Sequence, residues 1–297
     1  MKTLIAGSNG MVGSAVTRHL VEGGYDVFRL VRHTPGPCEV RWDPDAGEID
    51  TAGLEGFDAV INVATMPWPM RWTAKAKKAI LANKVATNRL LAESLARCVH
   101  KPRVLVSASG IGYYPARGDE IITEATGPGT GFLFTADRVG EEATAPASEA
   151  GIRVVLLRIP TVMGGRALQY VGFQGGDGQQ WMSWVGLDEL ASIIEFALRT
   201  ETLTGPVNAV SPNPLRGADY GTVATRALEI KPGGVMPAWV VRLVMGEMGE
   251  EFVLSSRRAQ PAKLLAAGYR FQYPELDCAL RHEKEIMKTG LTSKPQK

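Results

Sequence analysis

Cysteine and histidine are scarce in this sequence. Cys38, Cys98 and Cys278 lie far apart, and His19, His33, His100 and His282 are scattered between them with no CxxC or Cys/His ligand spacing. A disulfide framework is thereby excluded and no metal site is indicated, so the thiols read as packed or surface side chains. Long apolar runs are also missing. No stretch approaches the length that spans a membrane, and glycines interrupt the apolar start of the chain before it could read as a signal peptide. An excess of one charge is absent too, because 33 Lys and Arg stand against 31 Asp and Glu, a net charge of +2. That balance gives no reason to expect nucleic acid or an anionic membrane as partner. The expectation is a cytoplasmic protein with a small-molecule substrate, one that would admit assembly as a homodimer. Neither an internal repeat nor a low-complexity segment occurs.

What is present is an ordinary globular composition over 297 residues, 45% hydrophobic and 22% charged, enough for one large core and a smaller lobe. Its most informative stretch comes first. The apolar run Leu4-Ile5-Ala6 enters Gly7-Ser8-Asn9-Gly10-Met11-Val12-Gly13, and Val12, Val16, Leu20 and Val21 continue at helical spacing. The spacing predicts strand, tight turn, helix. A dinucleotide's pyrophosphate needs backbone there without Cβ atoms, and a helix start supplies free N–H groups to it. A second strand, Asp26 to Val31, ends in Arg32-His33, where an NAD site would carry Asp or Glu on the ribose hydroxyls. With no carboxylate at that strand end, Arg32 is suited to a 2′-phosphate, so the cofactor expected is NADP(H).

The chain then alternates. Strands are expected at 38–42, 57–64, 103–107, 152–158 and 206–210, and helices at 74–98, 132–149 and 187–198. This is an α/β pattern, a doubly wound parallel Rossmann sheet. Asn62 to Thr65, including Ala64, lies at a carboxyl strand end, where such sheets keep ligands. Met66 to Trp72, with two prolines and two tryptophans, is an irregular segment that either lines a substrate entrance or packs on its own domain. Gly164 to Trp184 shows no period and reads as a loop over the site. Short helical patterns at 217–228, 238–245, 249–254 and 262–266 suit a small, mostly helical lobe. The expected division is residues 1–210 for the dinucleotide, 211–290 as a substrate cap and 291–297 as a flexible tail.

Gly7-x-x-Gly10-x-x-Gly13, together with Asn83-x-Val85-x-Thr87, Val106-Ser107-Ala108-Ser109 and Arg158-x-Pro160-x-Val162-x-Gly164, resembles the extended short-chain dehydrogenase/reductase superfamily. Gly112-Tyr113-Tyr114, Gln180-Trp181-Met182-Ser183-Trp184, Gly205-Pro206-Val207-Asn208-Ala209 and Tyr273-Pro274 are similar to its epimerase-like subfamily that includes the bacterial protein YfcH. The resemblance covers residues 1 to 285. It implies cofactor contacts at Gly7, Ser8, Asn9, Gly10, Met11, Val12, Gly13, Arg32, Ala64, Thr65 and Pro160.

The superfamily's Ser matches Ser109 and its water-holding Asn matches Asn83. Its Tyr-x-x-x-Lys pair has no counterpart. With Glu141 as anchor, Leu133 stands at the Tyr position and Asp137 at the Lys position, so the usual proton donor is gone. Tyr113 or Tyr114 is the expected replacement acid, with Gly110 and Gly112 letting the backbone turn a tyrosine inward; packing of one ring and solvation of the other is the competing outcome. Asn83-Lys84 also replaces the subfamily's more frequent Ser-Arg. Three functions follow: an NADP(H)-dependent oxidoreductase of a small carbonyl, imine or alkene; a nucleotide-sugar epimerase, disfavoured by Leu133; and a dinucleotide-binding regulator without turnover.

Overall fold

The computed structural model describes residues 1–66, 71–165, 168 and 174–288. Residues 67–70, in the tryptophan-rich segment, and 289–297, with the expected tail, lie outside the described residues.

We number the strands of the main sheet β1 (Lys2–Ala6), β2 (Asp26–Val31), β3 (Glu39–Asp43), β4 (Glu48–Ile49), β5 (Ala59–Asn62), β6 (Val104–Gly110), β7 (Arg153–Ile159) and β8 (Gly205–Asn208). They lie in the order β8-β7-β6-β5-β1-β2-β3-β4, parallel except for the β3–β4 pair. The switch in strand order falls between β1 and β5, which pair directly, and that is where doubly wound sheets hold ligands.

Alternation along the strands explains the two covered faces. Ile5 on β1 packs with Val16 and Leu20 of α1 (Met11–Glu22) and Ile194 of α5 (Leu187–Arg199). Its neighbours Leu4 and Ala6 face the other way, onto Leu91 and Leu95 of α2 (Ala74–Arg97). Each large aliphatic side chain buried so contributes roughly 1.5–3 kcal/mol.

The expected 132–149 helix is two helices, α3 (Gly131–Glu142) and α4 (Ala145–Glu149). Pro146, lacking an N–H, can only sit in a first turn, so it restarts the helix. The 164–184 segment contains short strands at Gln174–Gly175, Trp181–Met182 and Trp184–Gly186 rather than loop alone. Toward the C-terminus come α6 (Gly217–Leu228), α7 (Ala238–Met245), α8 (Ala262–Ala266) and α9 (Leu276–Lys288), with Gly249–Val253 as a single π-turn. The sequence reading missed α9, although Leu276, Ala279, Leu280 and Glu283 recur at helical spacing and are buried. Among the described residues, no helix is long and apolar enough to cross a membrane.

Candidate active site

The bend after β1 is built as its glycines require. Gly7 has φ +84, and a Cβ there would sit 2.6 Å from the Ala64 nitrogen; on Gly13 it would sit 2.0 Å from the Gly7 carbonyl oxygen. Helix α1 therefore starts hard against β1. Its first turn has neither a side-chain cap nor an acidic residue, so the N–H groups of that turn remain available to an anion. They open into a groove of about 980 Å³ lined by Gly7 through Gly13, Arg32, Ala64, Thr65 and Asn83.

Arg32 lies at the far end of this groove, half-exposed, with Nη1 3.3 Å from Asp45 Oδ2. Asp45 comes from the turn after β3 and lines the same groove. The expectation of no competing carboxylate thus holds for the β2 strand end itself and not for the space around it.

A smaller cavity of about 310 Å³ adjoins the groove, sharing Val12, Val63, Ala64 and Thr65 with it. Pro160, expected beside the cofactor, lines this cavity, just past the carboxyl end of β7. Ser109, at the end of β6, is here too. Its Oγ donates to Glu141 Oε1 at 2.7 Å, and Glu141 accepts from Arg158 Nε and Nη2, both at 2.8 Å. Burial works against the Arg158 charge, but the Glu141 contacts outweigh it and hold the guanidinium above its ordinary range. Since the Ser109 proton is engaged by Glu141, the serine offers the cavity lone pairs.

Neither tyrosine turns into this cavity. Tyr114 is fully buried, donates its hydroxyl to Asn208 Oδ1 at 2.8 Å, and is pushed up to about 12 chiefly by burial. Tyr113 lies face-on over the Arg158 guanidinium, 3.5 Å from the ring centroid, with Phe134 against its edge. Both rings are packed and neither lines the cavity, so the structure does not bring the expected acid to it. Gly110 and Gly112 serve another purpose: a Cβ on either would meet Asp137 Oδ2, at 2.6 and 2.8 Å. Asp137 fits because those two positions carry no side chain.

Asp137 Oδ1 accepts from Lys84 Nζ at 2.6 Å, and both residues line the cavity with Leu133. The Asp137 carboxylate on α3 is thus paired with a cation supplied from α2. Asn83 is turned away into the larger groove, where its Oδ1 accepts from the Met66 backbone N–H at 3.2 Å. The neighbour Lys84, not Asn83, reaches the smaller cavity. Asn88, also lining it, is fixed by Ser107 and Asn62.

The far wall comes from the C-terminal part. Glu251 accepts from the Phe132 and Leu133 backbone N–H groups, both at 2.8 Å, and so caps α3; Gly131, with φ +94, leaves room for its carboxylate. Arg257, 8% exposed, donates Nε to the Tyr114 carbonyl at 2.9 Å and Nη1 to the Glu251 carbonyl at 2.8 Å. Ser255 lies beside it in the cavity wall. Trp72, by contrast, is buried against Phe132 at 4.9 Å between ring centroids, so this tryptophan packs on its own domain.

Comparison with known proteins fits this architecture. The model of the NAD dependent epimerase/dehydratase family matches residues 3–175, and a domain of unknown function (DUF1731) matches residues 236–283, which include Glu251, Ser255 and Arg257. The epimerase family protein ML0860 of Mycobacterium leprae is 33% identical over 290 residues, 94% of each chain. The crystal structure of the human epimerase family protein SDR39U1 with NADPH matches with a TM-score of 0.87 and 26% identity, over 96% of this chain and 99% of that one. The nucleoside-diphosphate sugar epimerase from Corynebacterium glutamicum matches with a TM-score of 0.80 and 31% identity, over 100% of this chain and 63% of that one.

Proposed function

The chain belongs to the NAD-dependent epimerase/dehydratase family, and from that membership we propose that it is an NADP(H)-dependent oxidoreductase of a small carbonyl, imine or alkene. The observation that carries this reading is the adjacency of the two spaces. A groove with an uncapped helix start at one end runs into a cavity that holds an ammonium group. The Gly7 to Gly13 backbone and the α1 N-terminus would hold the diphosphate, and Arg32 the 2′-phosphate. NADPH, when bound, supplies two electrons and one hydrogen to the substrate double bond.

The remaining proton is the task of this chain. Lys84 Nζ, fixed by Asp137, delivers it to the substrate atom that gains negative charge, and is reprotonated from solvent. Ser109, its own proton held by Glu141, offers lone pairs to the cavity and accepts from an imine N–H where the substrate carries one. Leu133 keeps that flank apolar. An epimerase must remove and return hydrogen at one carbon, a cycle that leans on a tyrosine base, and Leu133 occupies the position of that base. The reduction reading is therefore preferred.

Fluorescence titration with NADPH and NADH tests it. NADPH should bind at least about tenfold tighter, a difference of about 1.4 kcal/mol, and Arg32→Gln should erase the preference. Equal affinity for the two nucleotides in the parent protein refutes the cofactor assignment. NADPH oxidation over a panel of small carbonyl and imine compounds tests turnover.

A further inference from the structure

Arg257 is an unusual side chain. A guanidinium that is more than nine-tenths buried normally faces a carboxylate, because burial penalises its charge. Its hydrogen bonds go instead to two backbone carbonyls, through Nε and Nη1, and Nη2 has no hydrogen-bond partner among the described residues. The two carboxylates that act on it through space are committed elsewhere, Glu251 to the start of α3 and Asp137 to Lys84. Two residues before it, Ser255 Oγ is enclosed and also without a hydrogen-bond partner. Both residues line the smaller cavity.

We propose that Arg257 and Ser255 form a carboxylate-binding subsite, so that the substrate of the reaction proposed above is a small monocarboxylic acid whose reducible bond faces Lys84 and Ser109. The charge count decides between anions. Of the lining residues that ionise, Lys84 and Asp137 pair with each other and Arg257 is left, and with the Glu251 carboxylate acting on it through space this wall has no charge to spare for a second negative one. A diphosphate would bring more charge than this wall can match. The lining also carries Leu133, Ile159, Met182 and Phe252, apolar surface that suits a short hydrocarbon spacer.

This proposal rests on the oxidoreductase reading, and the test separates the two. NADPH-loaded protein is titrated calorimetrically with straight-chain carboxylates of increasing length, and with the corresponding carboxamides. One chain length should bind at least about tenfold more tightly as the acid than as the amide, since a charge-assisted contact to a buried guanidinium is lost with the charge. Arg257→Gln should abolish that discrimination, and Ser255→Ala should weaken acid binding several-fold while keeping the fold intact. Both variants should retain the parent's NADPH affinity. Equal binding of acids and amides, unchanged acid binding in both variants, binding of no acid in the series, or tighter binding of UDP than of any acid at this cavity would each overturn the subsite. Failure to bind NADPH at all would instead overturn the cofactor reading.

Discussion

Replacing Lys84 by methionine is the sharpest probe of the site. The change keeps the length of the side chain and removes the ammonium, leaving Asp137 with its carboxylate 4% exposed and no hydrogen bond from Nζ. Removing one partner of a buried ion pair typically costs about 3–5 kcal/mol, whereas neutralising both is far cheaper. Against a total stability of roughly 5–15 kcal/mol that is a large fraction. We therefore expect urea denaturation, followed by the fluorescence of the six tryptophans, to show Lys84→Met destabilised by about 3 kcal/mol or more. Lys84→Met combined with Asp137→Asn should regain at least about half of that loss. Turnover separates the structural role from the chemical one, because NADPH oxidation should stay abolished in the double variant even as stability returns. If Lys84→Met loses less than about 1 kcal/mol and still turns over, the pair is a solvated contact and the proton must come from elsewhere.

Gly13→Ala would drive a methyl group to 2.0 Å from the Gly7 carbonyl oxygen, with backbone on both sides and nothing flexible to yield. It should lose about 1–3 kcal/mol of stability and more than about tenfold in NADPH affinity by fluorescence titration. Tyr114→Phe removes the 2.8 Å bond to Asn208 and should cost about 1–3 kcal/mol in thermal unfolding with turnover unchanged; a large loss of turnover would return the acid role to this tyrosine. Glu283 is almost wholly buried, and burial raises its carboxyl from the usual 4.5 to about 7. The folded state then holds the proton to higher pH than the unfolded chain, so stability falls as pH rises from about 4.5 and the loss is complete above about 7. Glu283→Gln should flatten that slope in melts between pH 5 and pH 8, taken as about the span of the shift, and a parent protein whose melting temperature does not fall across that window contradicts the assignment.

The nucleotide half of the site was legible because its physics is local. Gly7, Gly10 and Gly13 act within one turn of chain, and the strand end at Arg32 is fixed by spacing along the sequence. The chemical half was not, because its contacts join residues far apart. Lys84 and Asp137 meet across 53 positions, and nothing in either neighbourhood announces the other. A signal did exist: a carboxylate at the position where the superfamily has a lysine demands a compensating cation nearby, and Lys84 already stood at an altered position. Gly110 and Gly112 read in the sequence as freedom for a tyrosine to turn, whereas the bulk of Asp137 is what meets those two bare positions. Arg257 and Ser255 carried no motif at all, and what sets them apart is that Arg257 is buried with its hydrogen bonds on backbone carbonyls alone and Ser255 Oγ is enclosed without a partner. The segment around Arg258–Ala259 reaches the cavity by pairing with Ile121–Ile122, a contact between two-residue strands too short to leave a periodic trace.

Glu251 grips the open end of α3 from 119 positions downstream. The same rod carries Leu133 and Asp137, which line the cavity, and one turn further Glu141, which holds Ser109. Whatever pulls the C-terminal residues inward must therefore haul these three side chains as one piece, like teeth on a single key. A shift of the Glu251 carboxylate would reach Lys84 and Ser109 together, through Asp137 and Glu141.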